Sequence, residues 1–153
     1  MKKLLSIIGG IALLAIFAIG FIWVVSIIQV PKLNSSSKAY VENEMPLILS
    51  GWSADEIKRQ SSPQLLEVIN ENQDNFEKTI KWLSKIGRLK SIGDIRGNAE
   101  IFYGIRYGEV QVADYDIGAK FEGGDAHIEV RLIKNSGKWK ITYFHVNSPF
   151  YAR

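Results

Sequence analysis

Leu4 to Val30 is an unbroken run of 27 residues without a charged side chain. As a helix rising about 1.5 Å per residue it would reach roughly 40 Å, against the roughly 30 Å hydrocarbon core of a bilayer. The apolar part of a cleaved signal peptide is shorter, about 7 to 15 residues, and ends in an A-x-A-like site. No such pattern closes this run; Ser35 and Ser37 offer only a weak substitute. The segment is therefore expected to remain as an N-terminal transmembrane anchor over residues 1–31. Without cysteine, a lipoprotein-type anchor is excluded. Lys2 and Lys3 before the run and Lys32 and Lys38 after it leave little basic bias to set orientation. The three-residue leader and MKKLL-type start favour a bacterial inner-membrane protein with its N-terminus in the cytoplasm and the rest in the periplasm or exterior. Trp23 and Gln29 mark the interfacial end, and Ser6 with Gly10 forms a small-xxx-small pair suited to helix dimerisation.

Setting Lys2 and Lys3 aside, 17 basic residues face 16 acidic ones, so the remainder is nearly neutral. A nucleic-acid binder is expected to show a clustered basic patch. The cations of KWLSKIGRLK, residues 81–90, instead fit the solvated end of a helix, and no nucleic-acid partner is expected. PKLNSSSK, residues 31–38, reads as a polar linker, placed at residues 32–37, ahead of a domain over 38–153. Ser37 can cap a helix to about Ser50, with a kink at Pro46 and Gly51 ending it. Ser53 and Glu56 fit a capping box that starts a short helix through about Gln60. Ser62 before Pro63 is a further start signal. Phe76, Ile80 and Leu83 share one face of a helix from about Gln73 to Ile86, ended by Gly87.

After residue 89 the apolar period becomes two. Gly123-Gly124 and Ser136-Gly137 read as two-residue hairpin turns. Pairing Glu122 with Asp125 and Asn135 with Lys138 puts Ala113, Tyr115, Ile117, Ala119 and Phe121 on one face with Ala126, Ile128, Val130 and Leu132. Trp139, Ile141, Tyr143 and His145 are expected to extend that face. The other face receives Asp114, Asp116, His127, Glu129 and Arg131, with Ile133, Phe144 and Val146 as its large apolar members, and Asp116 falls opposite Arg131. An earlier strand, Ala99 to Ile105, adds Ala99, Ile101, Tyr103 and Ile105 through an Arg106-Tyr107-Gly108 turn with glycine in the left-handed region. The expected fold class is α+β: N-terminal helices packed on one face of a curved four-stranded antiparallel meander, preceded by one transmembrane helix.

Helices followed by a meander ending in GKWKITYFHVNSP resemble the nuclear-transport-factor-like, or cystatin-like, superfamily over about residues 38–149. That resemblance implies a cone-shaped α+β domain, in a superfamily whose members include isomerase-like and dehydratase-like enzymes, small-molecule binders and non-catalytic assembly domains. The order of leader, span, linker and cone is also similar to periplasmic domains of single-span subunits of type IV secretion machines.

Isomerase-like members use a carboxylate base in the cavity between sheet and helices. The expected inner face offers Tyr115, Tyr143 and His145 as pocket lining but no acid, although Glu42, Glu44 or Glu67 could project inward from a helix. General acid-base chemistry at His145 competes with a hydrogen-bonded residue at the core's rim. With two histidines expected on opposite faces and no cysteine, no metal site is expected. No nucleophile motif, P-loop or dinucleotide fingerprint occurs, so no catalytic residue and no cofactor is assigned. Phe150 and Tyr151 are expected to close the core's edge rather than form a docking patch. The reading that results is a non-enzymatic, membrane-anchored binding or assembly domain with a protein partner or a second copy of itself. The alternative is a small-molecule pocket, or an isomerase- or hydratase-like enzyme.

Overall fold

The computed structural model describes residues 30–104 and 108–152. The expected span, Ser6, Gly10, Trp23 and Gln29 lie outside them. Among the described residues no helix is long and apolar enough to cross a membrane.

The described residues form four α-helices and a four-stranded antiparallel sheet of order β1-β2-β3-β4. Helix α1 occupies residues 30–51, α2 Ala54–Gln60, α3 Pro63–Glu71 and α4 Gln73–Leu83, followed by a 3-10 turn at Ser84–Ile86. The strands are β1 Leu89–Gly104, β2 Gly108–Phe121, β3 Gly124–Asn135 and β4 Lys138–Asn147, and a 3-10 turn at Pro149–Ala152 closes the fold.

The segment expected to be a linker is helical, because its short polar side chains have partners on the sheet. Asn34 Oδ1 accepts from the Ala99 amide at 2.5 Å, Ser36 Oγ accepts from Trp139 Nε1 at 3.0 Å, and Ser37 Oγ bonds the Tyr115 hydroxyl at 2.8 Å. These clips reach three different strands. Leu33, Ser37, Val41, Met45, Ile48, Leu49 and Trp52 are all buried, at spacings of three and four that form one helical stripe. Packing therefore begins before the boundary expected at residue 38. The helix runs through Pro46, and the left-handed residue after it is Trp52, at φ 44°, rather than Gly51. Burial of the indole against Phe121, with ring centroids 5.6 Å apart, holds that strained position.

Caps at the next helices follow the expected residues: Ser53 accepts from the Glu56 amide and Ser62 from the Leu65 amide, each at 3.3 Å. The Glu56 carboxylate turns to Arg59 instead of completing the capping box.

The buried face of the meander comprises Ala99, Ala113, Tyr115, Ile117, Ala119, Phe121, Ala126, Ile128, Val130, Leu132, Trp139 and Ile141. These merge with the helix stripes in one core. Ser136 and Gly137 form the β3–β4 turn with φ 48° and 79°, and Asn135 pairs with Lys138 as expected. The β2–β3 turn sits one residue earlier, at Glu122-Gly123, so Phe121 pairs with Gly124 and the register moves by two. An even shift preserves every face assignment. It does change partners: Arg131 faces Asp114, Nε to Oδ1 at 2.6 Å, and Asp116 faces Glu129. The cause is tertiary, since Gly123 donates its amide to the Ile86 carbonyl and Glu122 accepts from the Arg88 amide. A Cβ on Gly123 would stand 2.8 Å from that same carbonyl.

Strand β1 starts ten residues before the expected Ala99. Its inner residues Leu89, Ile92 and Ile95 are spaced by three, and two register shifts, at Leu89/Ser91 and Ile92/Ile95, absorb the surplus.

Candidate functional site

The three expected lining residues do not meet in one cavity. Tyr115 is buried, and its hydroxyl bonds Ser37 inside the core. Tyr143 and His145 lie on the opposite, outward face, where Tyr143 is 47% exposed. Their placement on the inner face is thus corrected. A β-bulge causes the change: Leu132 pairs with Ile141, but Arg131 pairs with Tyr143, leaving Thr142 as an extra residue in β4. One inserted residue reverses the alternation. Phe144 and Val146 consequently turn toward the core, against which both pack half-buried.

The outward face is a polar surface with matched rows. Arg96, Asp116, Glu129 and His145 follow one another across the four strands, with Asn98, Asp114, Arg131 and Tyr143 beside them. Much of this lines a shallow groove of about 390 Å³. Arg96 pairs with Asp94 at 2.8 Å and His127 Nε2 lies 3.1 Å from Asp116 Oδ1. Both histidines are on this face, so the expectation that they oppose each other is also corrected. Asp116, His127 and Glu129 each bring one potential ligand atom within 4.8 Å of the others, all exposed. This trio is the donor set a metal ion could use among the described residues.

A second groove, of about 460 Å³, has a different character. Helices α3 and α4 and the last part of β4 line it with Leu65, Val68, Phe76, Trp82, Phe144 and Val146, and His145 also borders it. Val68 is 56% exposed and Trp82 44%; Leu47 of α1, at 57%, is an exposed apolar helix residue outside this groove. The bulge that exports His145 also delivers Phe144 and Val146 to this groove's floor. Beside it, the outer edge of β4 receives one backbone bond, from the Ser62 amide to the Ile141 carbonyl at 2.7 Å. Beyond that point the edge carries no further backbone bond among the described residues.

Expected helix acids do not enter this groove. Glu44 instead accepts from Gln60 Nε2 at 2.6 Å, and Glu42 lies near Lys38. Burial raises the Tyr40 hydroxyl pKa far above its ordinary value, helped by Glu44 and Glu56, while its proton is donated to Gln60 Oε1 at 3.0 Å. Tyr151 and Phe150 pack against the core's edge, the Tyr151 hydroxyl donating to the Leu83 carbonyl at 2.5 Å and its ring 4.1 Å from that of Trp82.

The architecture defines an α+β domain of four helices and one antiparallel meander. No family model matches the chain, and no curated protein matches its sequence.

Proposed function

We propose that the protein is a single-span, membrane-anchored, extracytoplasmic domain of the cone-shaped nuclear-transport-factor-like type, acting as a non-enzymatic module that binds an apolar segment of a protein partner. The apolar groove between α3, α4 and the end of β4 carries this reading. Its Val68 and Trp82 keep about half of their surface exposed, and the free edge of β4 beside it offers backbone groups to an extended peptide. A small molecule would use the oily walls but leave that edge idle. The separation of Tyr115, buried in the core, from Tyr143 and His145 on the outward face supports the non-enzymatic part, since the inner pocket that would have joined all three does not form.

The anchor reading rests on the 27 uncharged residues Leu4–Val30. Because α1 is already helical at residue 30 and Leu33 is already buried, the domain would be held against the bilayer without a spacer.

The test is co-purification of the full chain from membranes, beside Val68→Asp and Trp82→Ala. Both positions are exposed, so the fold should survive, as circular dichroism will check. A stable partner that is lost from both variants is the expected result. Turnover by a free monomer, unchanged in both, would overturn it. The runner-up is a small apolar ligand, favoured by a volume within the roughly 300–1,000 Å³ usual for ligand pockets. It requires a thermal shift with such ligands that Trp82→Ala abolishes.

A further inference from the structure

Contacts along α1 show how the helix lies against the sheet. Leu33 borders the same hollow as Glu109 and Gln111, Asn34 bonds Ala99, Ser37 bonds Tyr115, and Trp52 stacks on Phe121. The helix thus runs along β2 in the same direction and against β1. From Ala99, level with Asn34, β1 continues five residues to Gly104, about 16 Å at roughly 3.3 Å each. From Asn34 back to residue 30 the helix climbs about 6 Å at roughly 1.5 Å each. Gly104 therefore overhangs residue 30 by about 10 Å, and Phe102 and Tyr103 by about 4 and 7 Å, on the side where the apolar run meets the domain.

The overhanging part is aromatic and uncovered. Phe102 is 53% exposed and Tyr103 71%. They are consecutive strand residues, so they point to opposite faces. A flat protein interface would bury one and leave the other in water. A surrounding medium with an apolar interior and a polar boundary takes both, and aromatic side chains concentrate at that boundary. Lys32 and Lys134 stand at the same end, with Glu109 accepting from Gln111 Nε2 at 2.5 Å.

We propose that Phe102 and Tyr103 form a second membrane contact, seated at the headgroup–acyl boundary of the leaflet from which the N-terminal span emerges, with Lys32 and Lys134 facing lipid phosphates. The inference rests on the anchored reading above. The headgroup layer is about 5–8 Å deep on each side, so overhangs of about 4 and 7 Å place Phe102 and Tyr103 within it, Tyr103 at its acyl boundary. Two contacts instead of one fix the domain's tilt, and hence the direction in which the α3–α4 groove is presented.

The chain has no cysteine, so a single introduced thiol labels one place. Full-length protein is reconstituted in phosphatidylcholine–phosphatidylglycerol vesicles carrying acyl-chain nitroxides. A bimane probe is placed in turn at Phe102→Cys, Tyr103→Cys, Asp125→Cys at the sheet's other end, and Ala15→Cys within the run. Expected are lipid quenching at 15, 102 and 103, and iodide accessibility at 102 and 103 severalfold below that at 125. Quenching at 15 with 102 and 103 as open to iodide as 125 overturns the second contact and leaves the anchor intact. Probes at 102 and 103 shielded from iodide but unquenched by lipid, with cross-linking between copies, also overturn it, in favour of a dimer. No lipid quenching at 15 overturns the anchor and the contact together.

Discussion

At the scale of single residues, the side chains that decide this fold are small and polar. Ser37 is fully buried, and its bond to Tyr115 ties helix to sheet where neither group could find water. Leaving one partner unmatched costs about 1–3 kcal/mol, whereas removing both costs less. Ser37→Ala should therefore lower the unfolding free energy by about 1–2 kcal/mol, and adding Tyr115→Phe should cost little more; urea denaturation of the three variants checks this. Burial also raises the hydroxyl pKa of Tyr40, Tyr115 and Tyr151, the last to about 12. The fold thus favours the protonated phenol. Its contribution is complete below the unfolded value near 10 and is lost as pH rises through the folded values. Denaturation midpoints should stay level to about pH 9 and fall between about 10 and 12, less steeply in Tyr151→Phe.

Among the elements, bulges and turns decide which side chains face the core. Gly97 sits at φ 152°, and a Cβ there would meet the Asp114 carbonyl oxygen and the Tyr115 backbone. Gly97→Ala should destabilise by at least about 1–3 kcal/mol, while Gly118→Ala, whose Cβ would meet nothing within 4 Å, should not; thermal melts of both distinguish a steric requirement from a general loss of glycine. The β4 bulge has a signature in the sequence. Trp139 and Ile141 are odd-numbered, Phe144 and Val146 even-numbered, and such a change of parity within one strand signals an inserted residue. Strict alternation instead put Tyr143 and His145 inside. The spacing of three between Leu89, Ile92 and Ile95 hid the start of β1 in the same way. By contrast, the faces of β2 and β3 were legible throughout, because an even register error leaves them unchanged.

For the whole molecule, the point of interest is where the domain begins. Residues 32–37 read as a spacer because serine and asparagine favour breaks in helices. In the fold they contribute Leu33 and three side-chain bonds to separate strands. Burial of a leucine and a few hydrogen bonds together stabilise by about 3–5 kcal/mol, a large part of the total for a domain of this size. A chain beginning at residue 38 should consequently melt well below one beginning at residue 30, by more than 10 °C or so at about 4–8 °C per kcal/mol. Equal melting temperatures would mean that the clips contribute nothing.

The order of helices and strands, the oily faces of β2 and β3, the β3–β4 turn and the Ser53 and Ser62 caps followed from the sequence, because caps, turns and alternation are local and act over a few residues; the cap expected at Ser37 did not, since that residue lies within α1. Local rules also identified Leu4–Val30 as long enough to span a bilayer. What the tertiary structure alone decided depends on partners distant in the chain. Ile86 and Arg88 set the β2–β3 turn, the strands hold α1 from Leu33 and Asn34 onward, and α3, α4 and β4 together line the groove. A serine reads as a linker until a buried tyrosine hydroxyl 78 residues away gives it a partner, and that pairing is made only when the chain has folded.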